Sequence, residues 1–515
     1  MKKSKITILI ILSFAGFLRF YRIASYPALN ADEAAIGYNA YSLLKTGRDE
    51  HGISWPIHFK SFGDFKPGGY FYLVLPSVAI LGLNTLAVRL PAVILSVLTI
   101  FIVYKLSELL WNDQKLGLIW AIILAISPWH LHFSRGGWES STATFFITLG
   151  IYFFFVAIKK DRQFSILNFQ FSILSLIASM YVYHSARLIS PLVFIGLAIF
   201  NLSTLWRSRE KIYLPIIVGF LFILPLSVSF LKGGASSRFS GVGLFADTGP
   251  LWRINELRAQ HPSPDNILPT ILHNRYLGYV LSLAENYFSH FNGNFLFVSG
   301  DEVPRSMVPG MGQMHLISGL WLVVGIWFLI RKKVDYKYLP VIWLLISPIA
   351  SALTFQAPSA LRALSMVVPL TFLIAYGCKK LLCVKEKWLR VTGYGLIICG
   401  YLWGLMSWWN NYFVHYLQRY PTAWPQGYQE AVEWMSDQPS QAYTVVTKHD
   451  QPYILTAFYS KYPPEEMQKE IKLTPPDEFG FSTVRQFGRF TFANEPPKSG
   501  TIIKEFWQTE IYEQN

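Results

Sequence analysis

Long apolar runs separated by short polar segments dominate the chain. About eleven runs approach the ~20 residues that a transmembrane helix needs; they lie at 6–23, 89–110, 116–133, 142–158, 164–183, 188–205, 212–231, 315–330, 338–355, 363–382 and 391–409. A further run, 70–83, is shorter and contains Pro76. The pattern predicts an α-helical polytopic membrane protein with about eleven transmembrane helices.

The basic residues assign a side of the membrane to each connecting segment. If 70–83 does not cross, the basic clusters at 2–5, 112–115, 159–162, 207–211, 331–337 and 379–387 all fall on one side. The positive-inside rule makes that side cytoplasmic. We therefore expect a multi-pass plasma membrane protein with a cytoplasmic N-terminus, and a helix at 70–83 lying on the outer membrane surface.

This topology divides the chain into two predicted domains. Residues 1–410 form the transmembrane domain, whose large outer segments are 24–88 and 232–314. Residues 411–515 contain repeated prolines and a strand-like segment at 443–447, which predict a small extracytoplasmic α/β lobe. External helices next to the membrane complete the expected fold class.

The amino-acid composition supports a membrane protein and argues against a soluble or a nucleic-acid-binding protein. The 515 residues are 52% hydrophobic and 15% charged, against about 25% charged in soluble domains. The net charge of +14 is explained by cytoplasmic loops, and no nucleic-acid-binding motif accompanies it. Cys378, Cys383 and Cys399 lie in or beside late apolar runs, so neither a metal site nor an external disulfide is expected.

Two adjacent carboxylates follow the first apolar run. Asn30 is a good helix N-cap, and Glu33 stands three residues later, at the capping-box spacing. The predicted helix ends near Gly47. Asp32 lies in its first turn, where the helix dipole stabilises an anion; beside a water-filled cavity the same carboxylate could accept a proton.

Further ionisable residues stand at the outer ends of the spans. They are Lys66 before the surface helix, Arg135 and Glu139 between the third and fourth spans, His184 and Arg187 between the fifth and sixth, and Arg362 between the ninth and tenth. Snorkelling alone would explain Lys66. Because all six residues are predicted on the same side of the membrane, we expect them to form one functional site. Arginine binds phosphate bidentately, and charges embedded in a membrane are usually functional.

The order of these motifs resembles the GT-C membrane glycosyltransferases, in particular the protein O-mannosyltransferase and lipid A aminoarabinose transferase group (phospholipid carrier-dependent glycosyltransferases). The motifs are Asp32-Glu33, Lys66-Pro67, 88–91, 127–129, Ser134-Arg135 with Glu139, 183–187, 295–297 with Gly300-Asp301, and 358–362. In the tail, 427–431 and 451–453 resemble bacterial members.

The resemblance implies an inverting transfer of a hexose or pentose from a polyprenyl-phosphate carrier to an acceptor hydroxyl. It makes Asp32 the general base, Glu33 its neighbour and Glu139 the acidic residue of the second loop. Lys66, Arg135, His184, Arg187 and Arg362 would bind the lipid-phosphate donor. No metal or cofactor is implied.

Three positions depart from that family pattern, and competing functions remain. The departures are Ala35-Ile36, Phe65-Lys66-Pro67 and Pro358-Ser359. They leave open which sugar is transferred and whether the acceptor is a protein, a lipid or a glycan. A transporter or flippase of lipid-linked glycans would also place cations at one interface. A polymer ligase would use the same lipid carriers, but it would typically depend on external arginine and histidine and not on an acidic pair after the first span. A transporter would usually carry mid-membrane charges or inverted repeats, so the transferase is favoured.

Overall fold

The computed structural model describes residues 2–62, 64–159, 163–231, 243–438, 441–447, 450–475, 482–497, 502–507 and 509–513. Residues 160–162 of the predicted basic cluster and 232–242 of the predicted outer loop lie outside them. The described part is mostly helical, with a sheet near the C-terminus.

The helices up to the second outer loop follow the apolar pattern. They are α1 (Lys2–Phe20), α2 (Ala31–Thr46), α3 (Gly69–Leu81), α4 (Thr85–Trp111), α5 (Gln114–Ile126), α6 (Pro128–Phe133), α7 (Glu139–Ile158), α8 (Ile166–Val182), α9 (Ala186–Phe200), α10 (Leu202–Arg207) and α11 (Arg209–Leu231).

The later helices include three in the second outer loop. They are α12 (Gly249–Ala259), α13 (Ile267–Leu272), α14 (Arg275–Ser289), α15 (Ser318–Arg331), α16 (Tyr338–Ile346), α17 (Ile349–Ala352), α18 (Val367–Leu382), α19 (Lys387–Asn410), α20 (Tyr416–Arg419), α21 (Tyr428–Ser436), α22 (Pro452–Tyr459) and α23 (Pro464–Glu470). Short 3₁₀ or π turns lie at Leu244–Ala246, Asn294–Val298, Pro304–Ser306, Leu364–Met366 and Asn411–His415.

Within the described residues, five helical segments are long and apolar enough to cross a membrane: Thr85–Trp111, Glu139–Ile158, Arg209–Ser229, Leu364–Leu382 and Lys387–Arg419. Of six shorter apolar helical segments in the described residues, one precedes Thr85 and five lie between the long ones. The protein is thus a multi-pass membrane protein, but helix length alone does not establish eleven spans.

Prolines explain why some predicted spans are interrupted. The predicted span 116–133 is two helices, α5 and α6, and Pro128 begins the second. Proline is favoured at the first helical position and cannot donate the hydrogen bond that would continue the preceding helix. Pro348 separates α16 from α17 within 338–355 in the same way.

The first outer segment contains a β-hairpin that the sequence analysis did not predict. Strands β1 (His58–Ser61) and β2 (Asp64–Pro67) pair antiparallel, with Phe59 opposite Lys66. The Phe59 ring is buried and stacks on Phe71 of α3 at 4.2 Å between ring centroids. The hairpin therefore fixes Lys66 relative to α3.

Residues after α20 contain a six-stranded mixed sheet. Its strands are β3 (Tyr443–Thr447), β4 (Lys472–Leu473), β5 (Val484–Phe487), β6 (Phe490–Ala493), β7 (Ile502–Phe506) and β8 (Thr509–Glu513), in the order β4-β5-β6-β3-β8-β7. The strand predicted at 443–447 is confirmed as β3. The predicted domain boundary at 411 falls within the helical segment Lys387–Arg419.

The C-terminal residues pack closely on α2. A Cβ atom at Gly37 would lie 2.6 Å from the Phe458 ring and from a Val88 methyl, so only glycine permits this approach. The Tyr38 hydroxyl donates to the Tyr462 carbonyl at 2.9 Å. Helix α2 thus lies between the transmembrane helices and the tail, with its N-terminus beside both.

Candidate functional site

Glu33 is fully occupied by structural contacts. Arg89 of α4 binds both carboxylate oxygens, with Nε–Oε1 2.6 Å and Nη2–Oε2 2.7 Å, and both side chains are buried. The Gly137 N–H donates to Oε1 at 2.8 Å, and the Asn30 backbone N–H closes the capping box at 3.2 Å. Glu33 therefore ties α2 to α4 and to the loop before α7.

Asp32 lies on the same first turn of α2 as Glu33, but its side chain points away from that of Glu33. Its side chain is 43% exposed and forms an ion pair with Lys66, whose own side chain is only 10% exposed. The Lys66 ammonium also lies 4.8 Å from the centroid of the Phe62 ring. An accessible carboxylate beside a nearly buried ammonium is suited to accept a proton while the ammonium binds an anion.

Asp450 brings a third carboxylate to the start of α2 from the C-terminal part. Its Oδ2 accepts from the Ala31 backbone N–H and from Arg305 Nη2, each at 3.2 Å. Burial raises the pKa of Asp450; the nearby Arg305 lowers it, and Asp32 raises it further. The C-terminal residues therefore lie next to Asp32 on one side.

A mostly apolar groove, whose lining includes His58, lies beside the hairpin. It holds about 650 Å³ and is lined by Ile57, His58, Phe65, Leu224, Pro225, Val228 and Ser229. Arg187 donates to His58 Nε2 at 2.6 Å, and His58 Nδ1 lies 2.7 Å from Ser229 Oγ. Burial, with help from Arg187, lowers the pKa of His58 to about 4, so its ring is neutral at pH 7.

His184 joins this group through the hairpin backbone. Its Nε2 lies 3.1 Å from the carbonyl oxygen of Phe65, the residue before Lys66. The structure thus places Lys66, His184 and Arg187, predicted from three separate segments, around one β-hairpin.

Arg362 and Glu139 lie in a second group at the start of α7. Arg362 donates to Thr354 Oγ1 at 3.2 Å and to the Gln356 carbonyl at 3.1 Å. With Ser140 and Tyr183 it lines a cavity of about 10 Å³, roughly the room one water occupies. Glu139 opens the first turn of α7, where the dipole favours an anion.

Arg135 donates hydrogen bonds to backbone carbonyls at the C-terminal end of α1. It is 1% exposed, and its terminal nitrogens donate to the carbonyls of Leu18 at 2.5 Å, Arg19 at 3.1 Å and Tyr21 at 2.7 Å. These are carbonyls that the helix end leaves unsatisfied. The structure places Arg135 as a C-terminal cap, so we do not include it in the donor site.

The described residues contain no cluster of three or more histidine, cysteine or acidic side chains that could hold a metal ion.

The sequence and the fold of this chain are similar to those of known membrane proteins. Residues 66–228, less than half of the chain, match the family described as dolichyl-phosphate-mannose-protein mannosyltransferase. The chain aligns with ArnT from Cupriavidus metallidurans in the apo state with a TM-score of 0.58 and 11% identity, covering 98% of this chain and 97% of that one. At this identity the likeness shows that the chain shares the overall fold of ArnT.

Other GT-C structures are similar as well. ArnT from the same organism bound to undecaprenyl phosphate aligns with a TM-score of 0.56 and 10% identity, over 98% of this chain and 97% of that one. An Archaeoglobus fulgidus oligosaccharyltransferase with zinc and sulfate gives 0.51 and 14%, over 84% and 55%. No curated protein sequence matches the chain.

Several residues of this candidate site were not predicted from the sequence. Arg89 was part of a noted motif but was not recognised as the partner of Glu33. His58 and Asp450 were not singled out, although 451–453 were noted in the tail. A lone histidine in a loop and an aspartate more than 400 residues from Asp32 give no local signal, because only the packing brings them to the site.

Proposed function

We propose that this protein transfers a sugar from a polyprenyl-phosphate carrier to an acceptor hydroxyl at the outer face of the cytoplasmic membrane. Asp32 is the general base. The anomeric carbon is inverted in a single displacement. The observation that carries the proposal is the solvent-accessible Asp32 carboxylate paired with Lys66 beside an apolar groove.

The reaction balances without a metal or a cofactor. Asp32 takes the proton from the acceptor hydroxyl, and the oxygen forms a bond to the anomeric carbon. The bond from that carbon to the phosphate oxygen breaks, and the electron pair leaves with the lipid phosphate. Lys66 stabilises the charge on that leaving group, because a fixed cation is most effective where negative charge develops.

The groove supports binding of the lipid carrier. Leu224, Pro225 and Val228 of α11, Phe65 of β2 and the neighbouring Ile57 supply apolar walls, which suit an isoprenoid chain. Arg187, held against the neutral His58, adds a second cation near the phosphate end. The undecaprenyl phosphate bound to a structurally similar ArnT supports a carrier of this type.

The ion pair implies an order of events. While Lys66 is bound to Asp32, its positive charge weakens that carboxylate as a base. When a donor phosphate takes the ammonium group, Asp32 becomes the stronger base. Donor binding therefore prepares the base for the acceptor.

Mass spectrometry of cell-envelope glycoconjugates tests the proposed function. Deleting the gene should remove a sugar from one glycan, lipid or protein, and the wild-type gene should restore it. The D32N variant should not restore it, whereas D265N, which neutralises an aspartate that is almost fully exposed in the second outer loop, should do so. An unchanged envelope after deletion, or full restoration by D32N, would sink the proposal.

A further inference from the structure

Helix α14 of the second outer loop packs on the rest of the protein through its small and polar residues. A Cβ atom at Gly278 would lie 1.8 Å from the Ile254 side chain of α12, so the two helices touch there. Asn286 donates to the Thr354 carbonyl at 3.0 Å. Gly278 and Asn286 lie on the same side of α14, because eight residues make little more than two helical turns. This side of the helix faces the protein.

The opposite side of α14 is apolar and exposed. Its side chains are between 37% and 68% exposed and fall within less than half of the helix circumference; they are Tyr276, Leu277, Val280, Leu281 and Phe288. A helix on the surface of a water-soluble protein turns its polar side outward. Because α14 does the reverse, its exposed side is not suited to contact with water.

Helix α13 adds to this apolar surface. It ends two residues before α14 begins. Four of its six residues are exposed and apolar; they are Ile267, Leu268, Ile271 and Leu272. We call these four side chains and the five of α14 the loop apolar face. An exposed apolar surface of this size marks a site of interaction with a protein or a membrane.

The loop apolar face is attached to a helix that contacts lipid. The Tyr287 hydroxyl of α14 donates to the Leu345 carbonyl of α16 at 2.8 Å, and Asn286 donates to the Ala352 carbonyl of α17 at 3.3 Å. Helices α16 and α17 form one of the apolar helical segments of this multi-pass protein. Leu345 itself is exposed, so the lipid-facing surface of α16 continues onto α14.

The charges of the loop do not indicate a charged partner. Arg253 of α12 pairs with Glu285 of α14 at 3.0 Å, and Arg258 pairs with Asp265 at 3.1 Å. These two pairs use two basic side chains of the loop internally. Burial of apolar surface is therefore the main force that this part of the chain offers to a partner.

We propose that α13 and α14 lie in the membrane surface beside α16 and insert the loop apolar face into the lipid leaflet. Tethering to a membrane helix keeps them at high effective concentration at the bilayer, so a modest apolar area is enough to hold them there. Thr354, whose carbonyl accepts from Asn286, also accepts from Arg362 through Oγ1 at 3.2 Å. Membrane contact thus supports the segment that holds Arg362. The inference does not depend on the chemistry proposed for Asp32.

Spin-label accessibility in the full-length protein tests the proposal. Labels are attached one at a time at I271C, at V280C and, as the matched control on an exposed position of α12, at E256C. The three native cysteines are first replaced by alanine. In phosphatidylcholine nanodiscs, the labels at 271 and 280 should collide mainly with oxygen, which concentrates in the bilayer. The label at 256 should collide mainly with a water-soluble nickel chelate.

Three results of this measurement would overturn the proposal. Collisions mainly with the chelate at 271 and 280 would place the loop apolar face in water. Few collisions with either reagent would mean that a second copy of the chain or another protein covers it. Insertion that requires phosphatidylglycerol, or that is lost at high salt, would mean that charge and not apolar burial holds the loop.

A pair of double variants checks that the apolar side chains themselves are responsible. V280D/L281D places two carboxylates on the loop apolar face, where burial in lipid is costly, so the label at 271 should shift from oxygen to the chelate. N255D/Q260D places the same two charges on exposed positions at the end of α12 and should cause no shift. An equal shift in both variants, or none in V280D/L281D, would refute insertion by this face.

Discussion

The two faces of the first turn of α2 carry neighbouring carboxylates with opposite surroundings. Glu33 accepts hydrogen bonds from Arg89, Gly137 and Asn30 in a buried position. Asp32 is 43% exposed and forms an ion pair with Lys66. The comparison teaches that an acidic pair in sequence need not act as a pair, because one helical turn directs its members to different environments.

The energetic consequences of the two positions differ. Removing one member of a buried ion pair leaves the other uncompensated and costs about 3–5 kcal/mol. Asp32 is partly exposed, so water can solvate its carboxylate, and its ion pair with Lys66 should contribute less to stability than the buried pair of Glu33 and Arg89. Glu33 should therefore affect folding, and Asp32 should affect chemistry.

The sharpest test of this contrast is D32N. Loss of a positioned general base typically lowers the rate about 10²–10⁴-fold, so kcat for sugar transfer should fall by that factor. The melting temperature and undecaprenyl phosphate binding should stay near wild type. Normal turnover by D32N would place the base elsewhere.

The matching change on the buried face is E33A. Because it leaves Arg89 buried without its anion, we expect a loss of about 3–5 kcal/mol in the free energy of unfolding. Thermal unfolding in detergent measures the change. If the double variant E33A/R89A is no less stable than E33A alone, the two residues act as one pair. Normal stability of E33A would contradict a structural role.

A smaller effect is expected for K66M. Hydrogen bonds to charged groups contribute about 1.5–3 kcal/mol, so the apparent KM for the lipid-linked donor should rise about 10–100-fold. Steady-state kinetics with varied donor measure this. K45M, which removes an exposed lysine at the end of α2, is the matched control. Equal KM values in K66M and wild type would mean that Lys66 only anchors the hairpin.

The smallest effect should come from D450N. This change keeps one oxygen for the Ala31 N–H but removes the charge that binds Arg305. We expect about 1 kcal/mol, or roughly a fivefold fall in kcat/KM. Transfer kinetics at saturating donor would detect it. A loss as large as that of D32N would instead make Asp450 a direct participant.

Local signals in the sequence were read correctly. Asn30 and Glu33 form the predicted capping box, and Gly47 ends α2 in the left-handed conformation with φ 69°, as predicted. These features depend on residues within one or two turns of each other. Lys66, His184 and Arg187 were chosen because they share one side of the membrane, and they meet at the hairpin.

Features that depend on distant contacts were missed or misjudged. The terminal nitrogens of Arg135, which is predicted to bind the donor phosphate, donate to backbone carbonyls at and just after the end of α1, and its role in donor binding stays a prediction. The burial of Glu50 cannot be seen in the polar segment 46–52 around it. Asp450 meets α2 across 419 positions of sequence. Such contacts arise from packing, which a single sequence does not display.

The sequence alone determined the membrane class, the GT-C resemblance and the helix that Asn30 caps, because hydropathy, basic clusters and capping residues act over short distances. Only the tertiary structure decided which carboxylate of the first turn is buried against Arg89 and which is left open to Lys66. That choice depends on the desolvation and hydrogen bonds supplied by α4, the β-hairpin and the C-terminal residues, which are far apart in the chain and adjacent in the fold.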